Sequence, residues 1–269
     1  MDKVRRMERL VLLAKQLTNK PSHLFSLGEF AELFGCAKST LSEDISLIRD
    51  TLEAQGTGTL ETLTGAAGGI RFLPRHSEAG IHHTLVRLAG QLGRPDRIIP
   101  GGFLYMSDVL FSPETMVEAG EIFFQRFAPQ APDYILTIET KGIPLALMTA
   151  RAFNIPLVIA RQGSKVTEGS AVSINYLTGS AKRIQTMSMS RRALPAGARV
   201  LVIDDFMKAG GTARGLVDLT AEVGAVVVGT GVLIATAQPE KKLVEEYTAL
   251  LILHGIDETL KQTDIRPAV

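Results

Sequence analysis

Apolar residues near the start of the chain recur at helical spacing. Leu10, Leu13, Ala14 and Leu17 form one stripe, and Pro21 follows closely, so a helix is predicted to end before the proline. Ser26 precedes the run "LGEFAELF", which predicts a short second helix capped by the serine. Glu29 sits at the capping-box position and Gly35 marks the stop. A third helix is expected from about Lys38 to Gln55, with Leu41, Ile45, Ile48 and Leu52 as its buried face. "GTLETL", "TGAAGG" and "IRFLP" then read as strand, flexible turn and strand.

Helix, helix, turn, helix and β-hairpin is the order of a winged helix-turn-helix, assigned to residues 1–74. Residues 76–93 read as a connecting helix, and Pro95, Pro100, Gly101 and Gly102 mark a boundary. Beyond it, strands alternate with helices. "YILTI" leads through "ETKG" to a helix from Pro144. "PLVIA" follows, then a polar run from Arg161 to Gln185 that reads as a long loop. "RVLVIDD" leads through a small-residue turn to a helix from Thr212, and "VVVGTGVLI" is another buried strand. This alternation predicts an α/β domain over residues 75–269, a doubly wound parallel sheet with helices on both faces.

Charge changes the picture only locally. The 269 residues carry a formal net charge of +1, which gives no general attraction to polyanions. Residues 1–74 hold nine Lys/Arg and nine Asp/Glu, but residues 1–20 hold six bases against two acids. Lys3, Arg5 and Arg6 are therefore candidate DNA contacts, with Lys38, Ser39, Thr40 and Ser42 at the start of the third helix and Arg71 on the wing. Ser39 reads equally as a helix cap. Glu43 and Asp44 either disfavour phosphate or face away. Arg75, Arg87, Arg94 and Arg97 are candidates for a further positive strip.

Cys36 is the only cysteine, so no internal disulfide forms, which suits a reducing compartment. The chain starts without a signal-peptide core, no apolar run is long enough to span a bilayer, and the five histidines make no metal-ligand spacing. A soluble cytoplasmic protein without a structural metal is expected.

The stretch "LVIDDFMKAGGT" carries the chemistry. An apolar strand ends in Asp204 and Asp205. Ala209, Gly210 and Gly211 then allow backbone N–H groups to approach an anion, and Thr212 adds a hydroxyl at a helix start. Carboxylates repel phosphate but accept hydrogen bonds from hydroxyls. A sugar phosphate satisfies both halves. The turn fits neither GxxxxGK[ST] nor GxGxxG.

The stretch resembles the phosphoribosyl-pyrophosphate motif of type I phosphoribosyltransferases. The resemblance implies that the acids hold ribose hydroxyls and the loop holds the 5′-phosphate. It makes "ETKG" the pyrophosphate loop, with Thr140, Lys141 and Gly142 as candidates, and the polar run a mobile loop from which Arg161 and Lys165 reach pyrophosphate. Mg²⁺ commonly accompanies that ligand, bridging its own oxygens.

The chain as a whole resembles the purine operon repressors of Gram-positive bacteria. The resembling stretches include "KSTLSEDISLIRDTLEAQGTGTLETLTGAAGG", "PGGFLYMSD", "TKGIPLA", "KVTEGSAVSINYLTGS" and "RIQTMS". That family implies a homodimer whose winged helices bind operator DNA, and a transferase-like domain that senses phosphoribosyl pyrophosphate without doing chemistry. The resemblance also implies that ligand weakens DNA binding, and that related phosphorylated purine nucleotides with two phosphate clusters compete for the same pocket. Phe206 and Lys208 sit where enzymes carry smaller or uncharged residues, so Phe206 reads as a base-stacking face and Lys208 as a partner for a second phosphate or an Asp. Phe103 and Tyr105 offer another aromatic face, with ordinary core packing as the alternative. No hood segment over an acceptor base is evident. An active purine phosphoribosyltransferase is the competing reading, with catalysis by holding pyrophosphate and Mg²⁺ as the ribose carbon becomes cationic.

Overall fold

In the computed structural model, which describes residues 4–65, 68–163, 169–177 and 184–268, the apolar stripes become separate hydrophobic cores. The chain divides into two compact units. One comprises Met1–Gly80 with Arg151–Asn154, the other Ile81–Ala150 with Ile155–Val269.

The first unit contains α1 (Arg6–Asn19), α2 (Leu27–Phe34), α3 (Lys38–Ala54) and the antiparallel hairpin of β1 (Thr59–Leu63) and β2 (Gly69–Leu73). Leu13 and Leu17 of α1 meet Leu41, Ile45 and Ile48 of α3, and the hairpin closes the core with Leu60, Ile70 and Phe72. Ser26 caps α2, but its hydroxyl accepts from the N–H of Gly28 at 3.1 Å, one residue short of the capping-box donor. Gly35 ends α2 in the left-handed conformation. Arg49 of α3 donates to the carbonyl of Leu60 at 2.7 Å and to Thr62 Oγ1 at 3.0 Å, tying the third helix to the wing.

The connecting helix is α4 (Glu78–Leu92). A short hairpin of β3 (Ile98–Ile99) and β4 (Phe103–Leu104) follows, then α5 (Ser107–Leu110) and α6 (Pro113–Phe127). The second unit then alternates through β5 (Tyr134–Ile138), α7 (Ile143–Phe153) and β6 (Leu157–Gln162). After β7 (Ala171–Leu177) and β8 (Ile184–Ser190) come β9 (Arg199–Met207), α8 (Gly211–Glu222), β10 (Val226–Thr236), β11 (Thr248–Asp257) and β12 (Gln262–Pro267). One eight-stranded sheet results, in the order β12-β11-β10-β9-β5-β6-β8-β7. Its five inner strands, β11 to β6, are parallel.

Helices cover both faces, as alternation along β9 requires. Val200 and Val202 face Leu216 and Leu219 of α8. Leu201 and Ile203 face the other way, beside Phe127 and Phe123 of α6, where Gly229 and Gly231 of β10 leave room for the two rings.

Two expectations are corrected. The sheet is not wholly parallel, because β12 at one edge and β7 with β8 at the other run antiparallel. The polar run is not one long loop either, since β7 and β8 form a hairpin within it. Val172 and Tyr176 point inward and Ser173, Asn175 and Leu177 outward, a period of two whose polar half disguises a strand.

Leu41→Ala should destabilise the first unit by about 2–5 kcal/mol, the cost of a cavity at a fully buried leucine. Urea denaturation followed by circular dichroism measures it, and a destabilisation below about 1 kcal/mol would contradict this core assignment.

Candidate functional site

The carboxyl ends of parallel strands gather the chemistry. Leu201, Val202 and Ile203 are fully buried in β9, and the strand carries Asp204 and Asp205 to its end instead of leaving them in a turn. Asp204 is 5% exposed, opposite Val232 of β10, and its Oδ1 accepts the N–H of Asp205 at 3.0 Å. Beside it the 139–142 turn joins β5 to α7, with a cis peptide between Glu139 and Thr140. A Cβ on Gly142 would lie 2.5 Å from Thr137 Oγ1 and 2.8 Å from Asp204 Oδ1, so only glycine brings this turn so near the acid. Gly210 has φ +82° and starts α8, a backbone state that glycine adopts without steric cost.

Burial and the neighbouring Asp205 carboxylate push Asp204 well above the usual carboxylate range. Burial also raises Asp205, while Asp204 and the ammonium of Lys141 pull it down. A group that neutralises or hydrogen-bonds these acids therefore gains from the site.

A cavity of about 880 Å³ opens at this edge, a volume suited to a small molecule. Asp204, Asp205, Phe206, Lys208, Ala209, Gly210, Gly211 and Thr212 line it, with Lys141 and Phe103. Gly142 lies buried beneath Asp204, and Thr140 is exposed in the same turn. Tyr105 is exposed outside the lining. Arg161 is not on a loop. It lies in β6, with Nη1 3.3 Å from Glu139 Oε2, while Glu139 Oε1 accepts the N–H of Gln162 at 2.9 Å. Lys165 lies outside the described residues.

Sequence reasoning missed several parts of the wall. The β3–β4 hairpin contributes Gly101, Gly102 and Leu104 to the lining. Tyr176, whose hydroxyl meets Gln185 Oε1 at 3.0 Å, comes from the hairpin read as loop. His254 and Gly255 come from the end of β11. "LLILHG" had the same signal as "LVIDD", an apolar run that turns polar at its carboxyl end. A shallower concavity of about 520 Å³ lies among Pro132, Pro156 and Pro195, and Asp133 is the sole charged residue lining it among the described residues. Among the described residues no group of three or more His, Cys, Asp or Glu is arranged to hold a metal.

The first unit sorts its charges. Lys38, Ser39 and Ser42 are exposed at the start of α3, and Thr40 is half-buried. Ala37 is the N-cap, so Ser39 is not a cap but an outward residue of the first turn, and Ser42 donates its hydroxyl back to the carbonyl of Lys38 at 3.0 Å. Asp44 faces away from solvent. It is fully buried and pairs with Arg9 at 2.5 Å and Arg6 at 3.2 Å, while Glu43 stays exposed. Arg5 is exposed at the start of α1, its N–H on Glu8. Arg71 pairs across the wing with Glu61 at 2.5 Å. Lys3 lies outside the described residues. Arg87, Arg94 and Arg97 pair with Glu118, Asp96 and Asp108, so no bare positive strip forms from them; Arg75 is exposed.

Fold and site together define a phosphoribosyltransferase-type domain carried behind a winged-helix unit. Residues 110–262 match the phosphoribosyl transferase domain family, and residues 5–74 match the family described as bacterial purine repressor, N-terminal. The chain is 45% identical over 264 residues to the purine biosynthesis transcriptional repressor PurR of Bacillus subtilis (strain 168), covering 98% of this chain and 93% of that one. It is 35% identical over 263 residues to the purine biosynthesis transcriptional activator PurR of Lactococcus lactis subsp. lactis (strain IL1403), covering 98% and 97%. Among solved structures it resembles an adenine phosphoribosyltransferase from Rhodothermus marinus, with a TM-score of 0.53 and 26% identity over 62% of this chain and 97% of that one. The chain belongs to the bacterial purine repressor family, the transcriptional regulators of purine biosynthesis. Among the described residues no helix is long and apolar enough to cross a membrane.

Asp204→Asn should stabilise the unliganded protein by about 0.5–2 kcal/mol at pH 7.5, the usual trade at a binding site. Folded Asp204 keeps its proton to higher pH than the unfolded chain does. Native stability therefore falls as pH rises from the unfolded carboxyl's range through the raised native one. The gain from Asn should shrink at pH 4.5, and urea titrations giving the same gain at both pH values would contradict this account.

Proposed function

We propose that the second unit senses phosphoribosyl pyrophosphate and that its occupancy weakens the first unit's hold on operator DNA. The protein then represses purine biosynthesis genes in the cytoplasm and releases them when this sugar phosphate is abundant. The observation that carries the reading is the buried Asp204 with the half-buried Asp205 shortly before the Lys208–Thr212 turn, all on one cavity wall. Ribose hydroxyls donate to the two acids. The 5′-phosphate takes the N–H groups of the turn and the hydroxyl of Thr212, at the start of α8. Pyrophosphate lies toward Thr140, Lys141 and Gly142. Mg²⁺ would accompany the ligand and offset the charge of its pyrophosphate, with Asp204 and Asp205 as the carboxylates on the cavity wall.

The first unit reads DNA through the exposed start of α3, with Arg5, Arg6 and the wing beside it. Its charge is balanced and Asp44 holds Arg9, so a single unit binds weakly. A homodimer engaging two half-sites supplies the affinity, with an operator of matching spacing. Linkage makes the coupling reciprocal, and operator DNA weakens phosphoribosyl pyrophosphate by the same factor. Phosphorylated purine nucleotides compete for the pocket, with Phe206 as a face for the base. Repression is preferred to activation because the 45% identical relative is a repressor and the activator is 35% identical.

The fold shared with an adenine phosphoribosyltransferase keeps an enzymatic reading in view. Incubation with a purine base, phosphoribosyl pyrophosphate and Mg²⁺ tests it, because turnover releases pyrophosphate.

In gel shifts with a purine-gene control region, phosphoribosyl pyrophosphate with Mg²⁺ should release the wild-type protein. Asp204→Ala should bind the same DNA and ignore the ligand. Normal release of Asp204→Ala would refute the pocket assignment. Lys38→Ala should lower the salt slope of DNA binding by about 1, the share carried by one neutralised phosphate. An unchanged slope would remove Lys38 from the interface.

A further inference from the structure

We propose that Lys242 and Leu243 clamp the anion turn from behind, and that Lys242 is a positioning residue for the ligand's 5′-phosphate. The inference rests on reading the cavity as a sugar-phosphate site. Lys242 is 7% exposed and does not line the cavity. Its ammonium donates to the carbonyl of Lys208 at 2.6 Å, to the carbonyl of Thr236 at 2.7 Å and to Thr236 Oγ1 at 3.2 Å. Three N–H groups thus meet three acceptors, which satisfies a buried ammonium completely. The next residue continues the contact, since the N–H of Leu243 donates to the carbonyl of Ala209 at 2.9 Å.

The consequence follows from peptide geometry. In a planar trans peptide the carbonyl and the following N–H point in opposite directions. The peptides after Lys208 and Ala209 are trans. Holding those two carbonyls from the 242–243 side aims the N–H groups of Ala209 and Gly210 the other way. Two successive N–H groups turned to one side make an anion nest. The clamp also fits the turn closely, because a Cβ on Gly210 would lie 3.2 Å from Leu243 N and 3.5 Å from Lys242 Cβ. The same ammonium sets a positive charge behind the turn, opposing the repulsion that Asp204 and Asp205 exert on phosphate.

A lysine that merely fastens the ends of β9 and β10 would affect every ligand alike. A positioning lysine affects only what the turn binds. Full-length wild-type protein and Lys242→Met are titrated calorimetrically with ribose 5-phosphate and, separately, with pyrophosphate plus Mg²⁺. The expected result is a drop in affinity of about 10- to 100-fold for ribose 5-phosphate, the scale on which supporting residues act on a bound group. Pyrophosphate should stay within about twofold, because it meets the Lys141 turn instead. Equal drops for both ligands, or no drop for either, would overturn the proposal. Should Lys242→Met not fold, Lys242→Gln is read by the same ratio, since its amide still donates two hydrogen bonds. Wild-type protein that binds neither ribose 5-phosphate nor phosphoribosyl pyrophosphate would sink the sugar-phosphate reading itself, and the role of Lys242 with it.

Discussion

Two carboxylates at the end of a central strand, Asp204 buried and Asp205 half-buried, dominate the chemistry of the second unit. Asp204 and Asp205 cannot both ionise cheaply there, and burial raises them both. Yet the next residues build a turn suited to an anion. The sugar phosphate proposed above would resolve the conflict, with hydroxyls on one side and phosphate on the other. Several local features make sense as concessions to that arrangement. Gly142 removes a side chain that would collide with Asp204, Lys141 brings a cation toward Asp205, and Lys242 places a buried ammonium behind the turn.

The first unit solves a different electrostatic problem. The helix proposed to meet DNA, α3, carries Glu43 and Asp44 in its second turn. Asp44 is withdrawn into the interior, where Arg9 and Arg6 satisfy it. Breaking such a buried pair by removing one partner is costly, so the pair fixes how α1 and α3 meet. Arg6, Arg9 and Arg71 are thus paired with acids of the unit, while the start of α3 stays exposed. Regulation of purine genes then needs no unusual fold. The winged helix and the transferase-like sheet are both common scaffolds, and the chain shares with its relatives the joining of the two in one sequence.

Much of this was legible in the amino-acid order because the signals are local. The stripe Leu41, Ile45 and Ile48 is helical in any fold that buries it, and an apolar run ending in "DD" before small residues reads as a strand leading to an anion turn. These depend on spacing and on side-chain size alone. The "AVSINYL" hairpin strand was harder, because its polar residues face outward and only its alternation with Val172 and Tyr176 betrays it.

The order of residues by itself therefore determined the three helices and hairpin of the first unit, α4, the strands β5, β6, β9 and β10 with α7 and α8, and the carboxylate-and-glycine motif, but not α6 or β11. Tertiary structure decided what depends on neighbours distant in sequence. It set Asp44 inward against Arg9, moved Arg161 onto a strand beside Glu139, and brought His254, Tyr176 and the Gly101–Leu104 hairpin to the cavity wall. It also carried Lys242 to the back of the turn, more than thirty residues from Lys208. Hydrogen bonds and ion pairs act over about 3 Å, whereas a sequence records only separation along the chain. Which charge meets which partner is fixed only once the sheet has stacked its strands.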